Sequence, residues 1–186
     1  MWKWIGSCLL AVIVLAMVGA WWGYQKVSSS FSPDGSVRVA IAATSARVFS
    51  SLSDADSAGT WMAGGHGSTV STGKHGTFAP GDSIRIDLRS IGGMAGPPVT
   101  WKITSVVPGQ VIVREIDSPD PKHKFAAVRS DSVTQVGDST IVTSRLTAVT
   151  PATTTSEQMM LSLFRVQSKL ELTNLKTRIE GKGSSR

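Results

Sequence analysis

The hydrophobic pattern divides the chain in two. Ile5 to Ala20 reads IGSCLLAVIVLAMVGA, an uncharged apolar run, whereas beyond Gly35 the apolar positions recur at the spacings of strands and helices. Ser36 to Ala42 places Val37, Val39 and Ile41 at alternate positions, which predicts a half-buried strand. Ser45 can cap a short helix in which Val48, Phe49 and Leu52 share one face. Asp54 can cap a second helix that stops near Gly59, just before Trp61. Residues 63–76, rich in Gly, Ser and Thr, read as a loop or a weak edge strand.

A run of strands follows. Ser83 to Leu88 alternates, and Val99 to Val107 is joined to Gln110–Ile116 by the turn signal Pro108-Gly109. Past a loop rich in Asp and Pro over 117–122, Lys124 to Val136 and Ser139 to Val149 pair as a hairpin around Gly137-Asp138. Glu157 to Ile179 is the longest helical signal. There Met160, Leu163, Phe164, Gln167, Leu170, Asn174 and Ile179 approximate one stripe, with Val166 and Leu175 at its margins. A helix of that length needs a long partner surface, which a curved antiparallel sheet supplies, so the expected class is α+β.

The apolar run is flanked by Trp2 and Trp4 on one side and Trp21, Trp22 and Tyr24 on the other, where interfacial rings would sit at the two faces of a bilayer. A helix from Trp2 to Trp22 extends roughly 30 Å, about one hydrocarbon thickness. The expectation is an N-terminal transmembrane helix over residues 1–24, a linker over 25–35, one domain over 36–181 and a disordered tail over 182–186. A cleaved signal peptide is the alternative, since Val18-Gly19-Ala20 offers small residues for cutting after Ala20. Lys3 on one side and Lys26 on the other nearly balance. The lean toward a single-pass protein with an extracytoplasmic domain therefore rests on a first apolar helix acting as an export signal.

Composition changes this picture little. The 186 residues carry a formal charge of +6, but the basic residues are scattered and lack the runs interleaved with aromatics that a nucleic-acid surface needs. An anionic membrane surface is the partner that such a charge suits. The one cysteine, Cys8, lies in the apolar run, so the domain has no disulfide, thiol nucleophile or cysteine metal site. His66, His75 and His123 are not spaced as a metal-ligand set, and no metal or other cofactor is expected.

Six short stretches, in order, carry a family resemblance. They are Val39-Ala40-Ile41-Ala42-Ala43-Thr44-Ser45-Ala46-Arg47-Val48-Phe49; Leu52-Ser53-Asp54 followed by Trp61; Pro80-Gly81-Asp82; Trp101 to Gly109; Gly137-Asp138-Ser139-Thr140-Ile141-Val142; and Leu172 to Glu180. Together they resemble the START-like (SRPBCC, Bet v 1-like) superfamily and, within it, the polyketide cyclase/dehydrase group. Ala43-Thr44 stands where that group often has Pro, and Ser139 where it often has a second Gly. The resemblance implies a helix-grip domain, a curved antiparallel sheet wrapped around the C-terminal helix, with an internal cavity for an apolar or amphipathic ligand.

Such a cavity would be lined by Trp61, Phe78, Trp101, Phe125, Met160 and Phe164, because rigid aromatics and adaptable Met suit it. Arg85, Arg129 and Arg145 lie on strands, and one pointing inward could meet an anionic head group; Arg85 and Arg129 join the candidate set. The expected function is a membrane-tethered domain that binds or carries a hydrophobic small molecule, with lipid first, and without catalysis. A polyketide cyclase- or dehydratase-like enzyme and an adaptor without ligand are the alternatives. An enzyme would need ionisable side chains facing the cavity.

Overall fold

A computed structural model of the chain describes residues 35–62, 69–87, 98–117, 126–149 and 155–181. Among them lie β1 (Ser36–Ile41), α1 (Ser45–Ser53), α2 (Ala55–Trp61), β2 (Thr69–Ser71), β3 (Ser83–Asp87), β4 (Val99–Val107), β5 (Val111–Asp117), β6 (Ala127–Val136), β7 (Ser139–Ala148) and α3 (Thr155–Ile179). The strands form one antiparallel sheet in the order β1-β7-β6-β5-β4-β3-β2. Hairpins build β3 to β7 as a meander, while β1 reaches across to close against β7. No described helix is long and apolar enough to cross a membrane. The segment 1–24 expected to do so lies outside the described residues.

Local chemistry explains most boundaries. Thr44, rather than Ser45, caps α1: its Oγ1 accepts from the Arg47 N–H at 3.4 Å. Asp54 caps α2 by accepting from the Asp56 N–H at 3.2 Å, and the helix runs through Gly59 to include Trp61. Gly137 at φ 57° lets β6 and β7 turn within two residues, Val136 lying opposite Ser139. In β4 the register slips between Ile103 and Ser105, a bulge that strengthens the local twist and helps the sheet curl.

The concave face is read off each strand's alternation. Ile84 and Ile86, Trp101 and Ile103, Val142 and Leu146 are buried, with Arg85 and Lys102 outward. The helix α3 lies across this face against β1, β7 and the two short helices. Its carboxyl half packs Leu172, Leu175 and Ile179 into the core. Its C-terminus also covers the end of β1, where Lys176 Nζ donates to the Ala40 carbonyl at 2.6 Å and the Ala42 N–H donates to Glu180 Oε1 at 2.9 Å. Edge groups engaged in this way are not free to pair with a foreign strand.

The inner stripe of α3 differs from the expected one. Leu163 and Leu170 are 62% and 45% exposed, whereas Leu175, expected at the margin, is fully buried. Ser168 and Glu171 occupy buried positions on the same face, so the apolar residues alone do not trace it. Gln167 and Asn174 face inward for a polar reason: their side-chain amides donate to the carbonyls of Met62 and Trp61, both at 3.4 Å. They thereby satisfy carbonyls that the end of α2 would otherwise leave open, and Arg178 adds a bond at 3.1 Å to the Ser57 carbonyl, which also accepts from Thr60 Oγ1 at 2.7 Å.

Candidate functional site

The centre of the concave face is charged. Strand alternation turns Arg114 of β5 and Arg129 and Asp131 of β6 inward, and α3 brings Glu171 over them; all four are at most 2% exposed. Arg114 and Arg129 stand directly opposite across the β5–β6 pair, an arrangement that two like charges disfavour. Asp131 resolves it by bridging: Oδ2 accepts from Arg114 Nη2, and Oδ1 accepts from Arg129 Nε at 3.0 Å. Arg129 Nη1 donates to Glu171 Oε2, and Glu171 Oε1 accepts from the Gln167 amide at 3.1 Å. Two guanidinium groups thus face two carboxylates, and every carboxylate oxygen is engaged.

The electrostatics follow from this geometry. Burial pushes the Asp131 carboxyl upward, but the charges of Arg129 and Arg114 outweigh it and hold it below the usual carboxylate range. Burial likewise opposes the charge on Arg129, yet Asp131 and Glu171 overcompensate and raise it. Arg114 is lowered, because burial and the neighbouring Arg129 exceed what Asp131 and Glu171 return. The four side chains are a structural ion cluster as much as a reactive one: Asp131, held ionised, is a poor proton donor at neutral pH.

The donors are less well served than the acceptors. Among the described residues, Arg114 Nη1 meets only the Met62 thioether, at 3.7 Å, and the guanidinium carbon lies 5.9 Å from the centre of the Trp61 ring. Trp61 Nε1, Arg114 Nε, Arg129 Nη2 and Ser144 Oγ are buried without a hydrogen-bond partner at normal distance among the described residues.

Of the expected lining residues, Trp61 is buried at the end of α2 against Arg114, and Phe78 is buried beside the α1–α2 junction, its N–H bonded to the Ser53 carbonyl at 2.8 Å. Trp101 is buried and meets Phe164 edge to face, with centroids 5.7 Å apart. Phe125 and the side chain of Met160 lie outside the described residues. Arg129 points inward, but its charge is taken up by Asp131 and Glu171 rather than left for an anionic head group. Arg85 leaves the candidate set: it is exposed on the outer face of β3 and pairs with Asp87 at 3.0 Å, because Ile84 and Ile86 claim the inward parity. Arg145 is also outward. His75 is exposed, with Nδ1 2.6 Å from Asp56 Oδ1, and His66 and His123 are not among the described residues.

Arg114, Asp131 and Glu171 were not anticipated. The signal was present in the alternation of Ala127, Arg129, Asp131 and Val133, whose parity forces a charged pair inward once the hairpin is accepted.

Comparison with solved structures places this arrangement in a known fold. The Aha1 dimer structure from Colwellia psychrerythraea matches 80% of this chain and 97% of its own, at 19% identity and TM-score 0.54. Ms6760 from Mycobacterium smegmatis matches 81% and 90%, at 13% identity and TM-score 0.59. DynU16, from the dynemicin biosynthetic locus, matches 79% of this chain and 47% of its own, at 16% identity and TM-score 0.56. No curated protein sequence matches. The family model described as polyketide cyclase / dehydrase and lipid transport matches residues 32–180, and the chain belongs to that family.

Proposed function

We propose that the domain binds a hydrophobic or amphipathic small molecule, with lipid the first class to test, between the concave sheet and the amino half of α3. The observation that carries this reading is the uneven burial along α3. Ser168, Glu171, Leu172, Leu175 and Ile179 are buried, whereas Leu161, Phe164, Val166 and Gln167 on the amino half stay half-buried, Phe164 meeting the Trp101 ring. An aromatic pair where the helix is only half-buried is suited to an apolar guest. The apolar segment 1–24 supports a further step, tethering at a membrane from which such a guest could be taken.

Native mass spectrometry of the full chain, released from membranes in mild detergent, tests binding. A co-purifying small molecule is expected, and Phe164→Ala should reduce its occupancy. Bare chain only, together with no uptake of a solvatochromic fatty-acyl probe, would remove the reading.

A cyclase- or dehydratase-like activity is the second reading. It is favoured by the guanidinium N–H groups on the interior face, which could orient and polarise a substrate carbonyl. Turnover of a poly-β-ketone thioester that disappears in Arg114→Met would support it. Binding of that compound without turnover would count against it.

A further inference from the structure

We propose that the buried Arg114–Arg129–Asp131–Glu171 cluster, with Trp61, recognises one neutral oxygen acceptor on the bound molecule, such as a ketone, ester carbonyl or ether oxygen. The inference deepens the ligand-binding reading above and rests on it.

The argument begins with hydrogen-bonding capacity. All four carboxylate oxygens of Asp131 and Glu171 are already bonded, to Arg114, Arg129 and Gln167. Among the described residues, what is left over there is three N–H donors, Trp61 Nε1, Arg114 Nε and Arg129 Nη2, and the Ser144 hydroxyl, which stands opposite Asp131 and can donate to its carboxylate. These belong to one neighbourhood, since Arg114 and Arg129 face each other across β5 and β6 and the Trp61 ring lies 5.9 Å from the Arg114 guanidinium carbon. A buried donor without a partner is costly, so a cluster offering several calls for an acceptor and has no use for a further donor.

Charge then selects among acceptors. Two guanidinium groups already balance two carboxylates. A carboxylate or phosphate head group would bring an unbalanced negative charge beside Asp131 and Glu171 in a site shielded from water, which is unfavourable. A neutral carbonyl or ether oxygen accepts the same N–H groups without that penalty.

Met62 is the side chain an incoming oxygen would displace. Its sulfur, 3.7 Å from Arg114 Nη1, is a weak acceptor on an unbranched, adaptable side chain, and an oxygen taking its place would be the better partner.

The test uses the full chain held in amphipol and three probes of similar apolar length: 2-tridecanone, tridecane and dodecanoate. Each competes against a solvatochromic probe, in wild type and in Trp61→Phe, which removes one N–H and keeps a ring. The ketone is expected to bind roughly 10-fold more tightly than the alkane, as one well-formed hydrogen bond allows, and more tightly than dodecanoate. Trp61→Phe should lower ketone affinity several-fold and leave the alkane unchanged. Independently of any variant, the carbonyl stretch of ¹³C-labelled ketone should move to lower frequency on binding to wild type.

Equal affinity for ketone and alkane, with an unmoved carbonyl band, would mean that water alone serves these donors, and would overturn the inference while leaving ligand binding intact. Tightest binding of dodecanoate would overturn the charge argument. Binding of none of the three would sink both this inference and the reading on which it rests.

Discussion

Replacing Arg129 with Met should destabilise the domain far more than replacing Arg129 and Glu171 together. In the single variant Glu171 stays at 1% exposure and loses its guanidinium partner, keeping only the Gln167 amide at 3.1 Å. Asp131 loses its bond to Arg129 Nε and must rely on Arg114. Removing one partner of a buried pair costs about 3–5 kcal/mol, because the remaining charge is neither solvated nor balanced. For a domain of this size, that lowers the melting temperature by on the order of 10 °C. The double variant Arg129→Met/Glu171→Leu removes one charge of each sign and leaves Arg114 with Asp131, so its cost should stay within about 2 kcal/mol of wild type. Urea unfolding of the detergent-held full chain, followed by near-ultraviolet circular dichroism, measures all four corners of the cycle. A single variant costing less than about 1 kcal/mol would show that the cluster is not energetically coupled in the way described. A double variant costing the sum of the two singles would show the same.

Three further outcomes follow from particular contacts. The folded Asp131 carboxyl is held below its ordinary value of 3.8, so the unfolded chain takes up the proton first; stability should be insensitive to this group above about pH 5 and fall as pH drops through and below 3.8. In Asp131→Asn that part of the acid dependence should be missing, and an unchanged acid limb would contradict the assignment. Gly35 adopts φ 70°, and a Cβ there would lie 2.6 Å from Arg165 Nη2. Because the guanidinium end can move, backbone strain should dominate, and Gly35→Ala should cost about 1–2 kcal/mol in urea unfolding. If the loss vanished in an Arg165→Ala background, the contact would be the cause instead. Lys176→Ala/Glu180→Ala frees the Ala40 carbonyl and the Ala42 N–H at the end of β1, and light scattering should then show more concentration-dependent association than in wild type.

What the sequence made legible was mainly local. The turn at Pro108-Gly109 and the hairpin at Gly137-Asp138 were readable because backbone constraints on a few residues fix them, and the strands around them were found within one to three residues. The strand order was readable only through family resemblance, since nothing near β1 announces that Val39 will lie opposite Val142. The stripe on α3 was misplaced for a different reason. Leu163 and Leu170 satisfy a helical period yet face outward, while Glu171 and Ser168 take the positions where an apolar pattern would be sought. Arg129 was identified as a strand charge that could turn inward. Of its partners, Asp131 shares its parity on β6 and was readable from that alternation, whereas Arg114 and Glu171 come from a neighbouring strand and a distant helix and leave no apolar signature at their positions. The Asp54–Thr77 bridge, which ties the α1–α2 junction to the loop before Phe78, is equally invisible to periodicity.

The placement of the cluster raises the question of why it persists. Buried ion clusters add little stability compared with well-packed apolar side chains, so stability is a weak reason to keep four charges in the middle of a sheet. Position along α3 offers a better one. Glu171 sits between the half-buried stretch around Phe164 and the buried Leu172, Leu175 and Ile179, so the cluster marks the point where the fully buried part of α3 gives way to its half-buried part. Leucine or isoleucine at these positions would extend the dry core, but would supply no hydrogen-bond donors at that boundary. The two roles separate experimentally. If Arg129→Met/Glu171→Leu folds as stably as wild type yet no longer prefers a ketone to an alkane of equal length, the charges serve recognition; if it keeps that preference, they serve only the architecture.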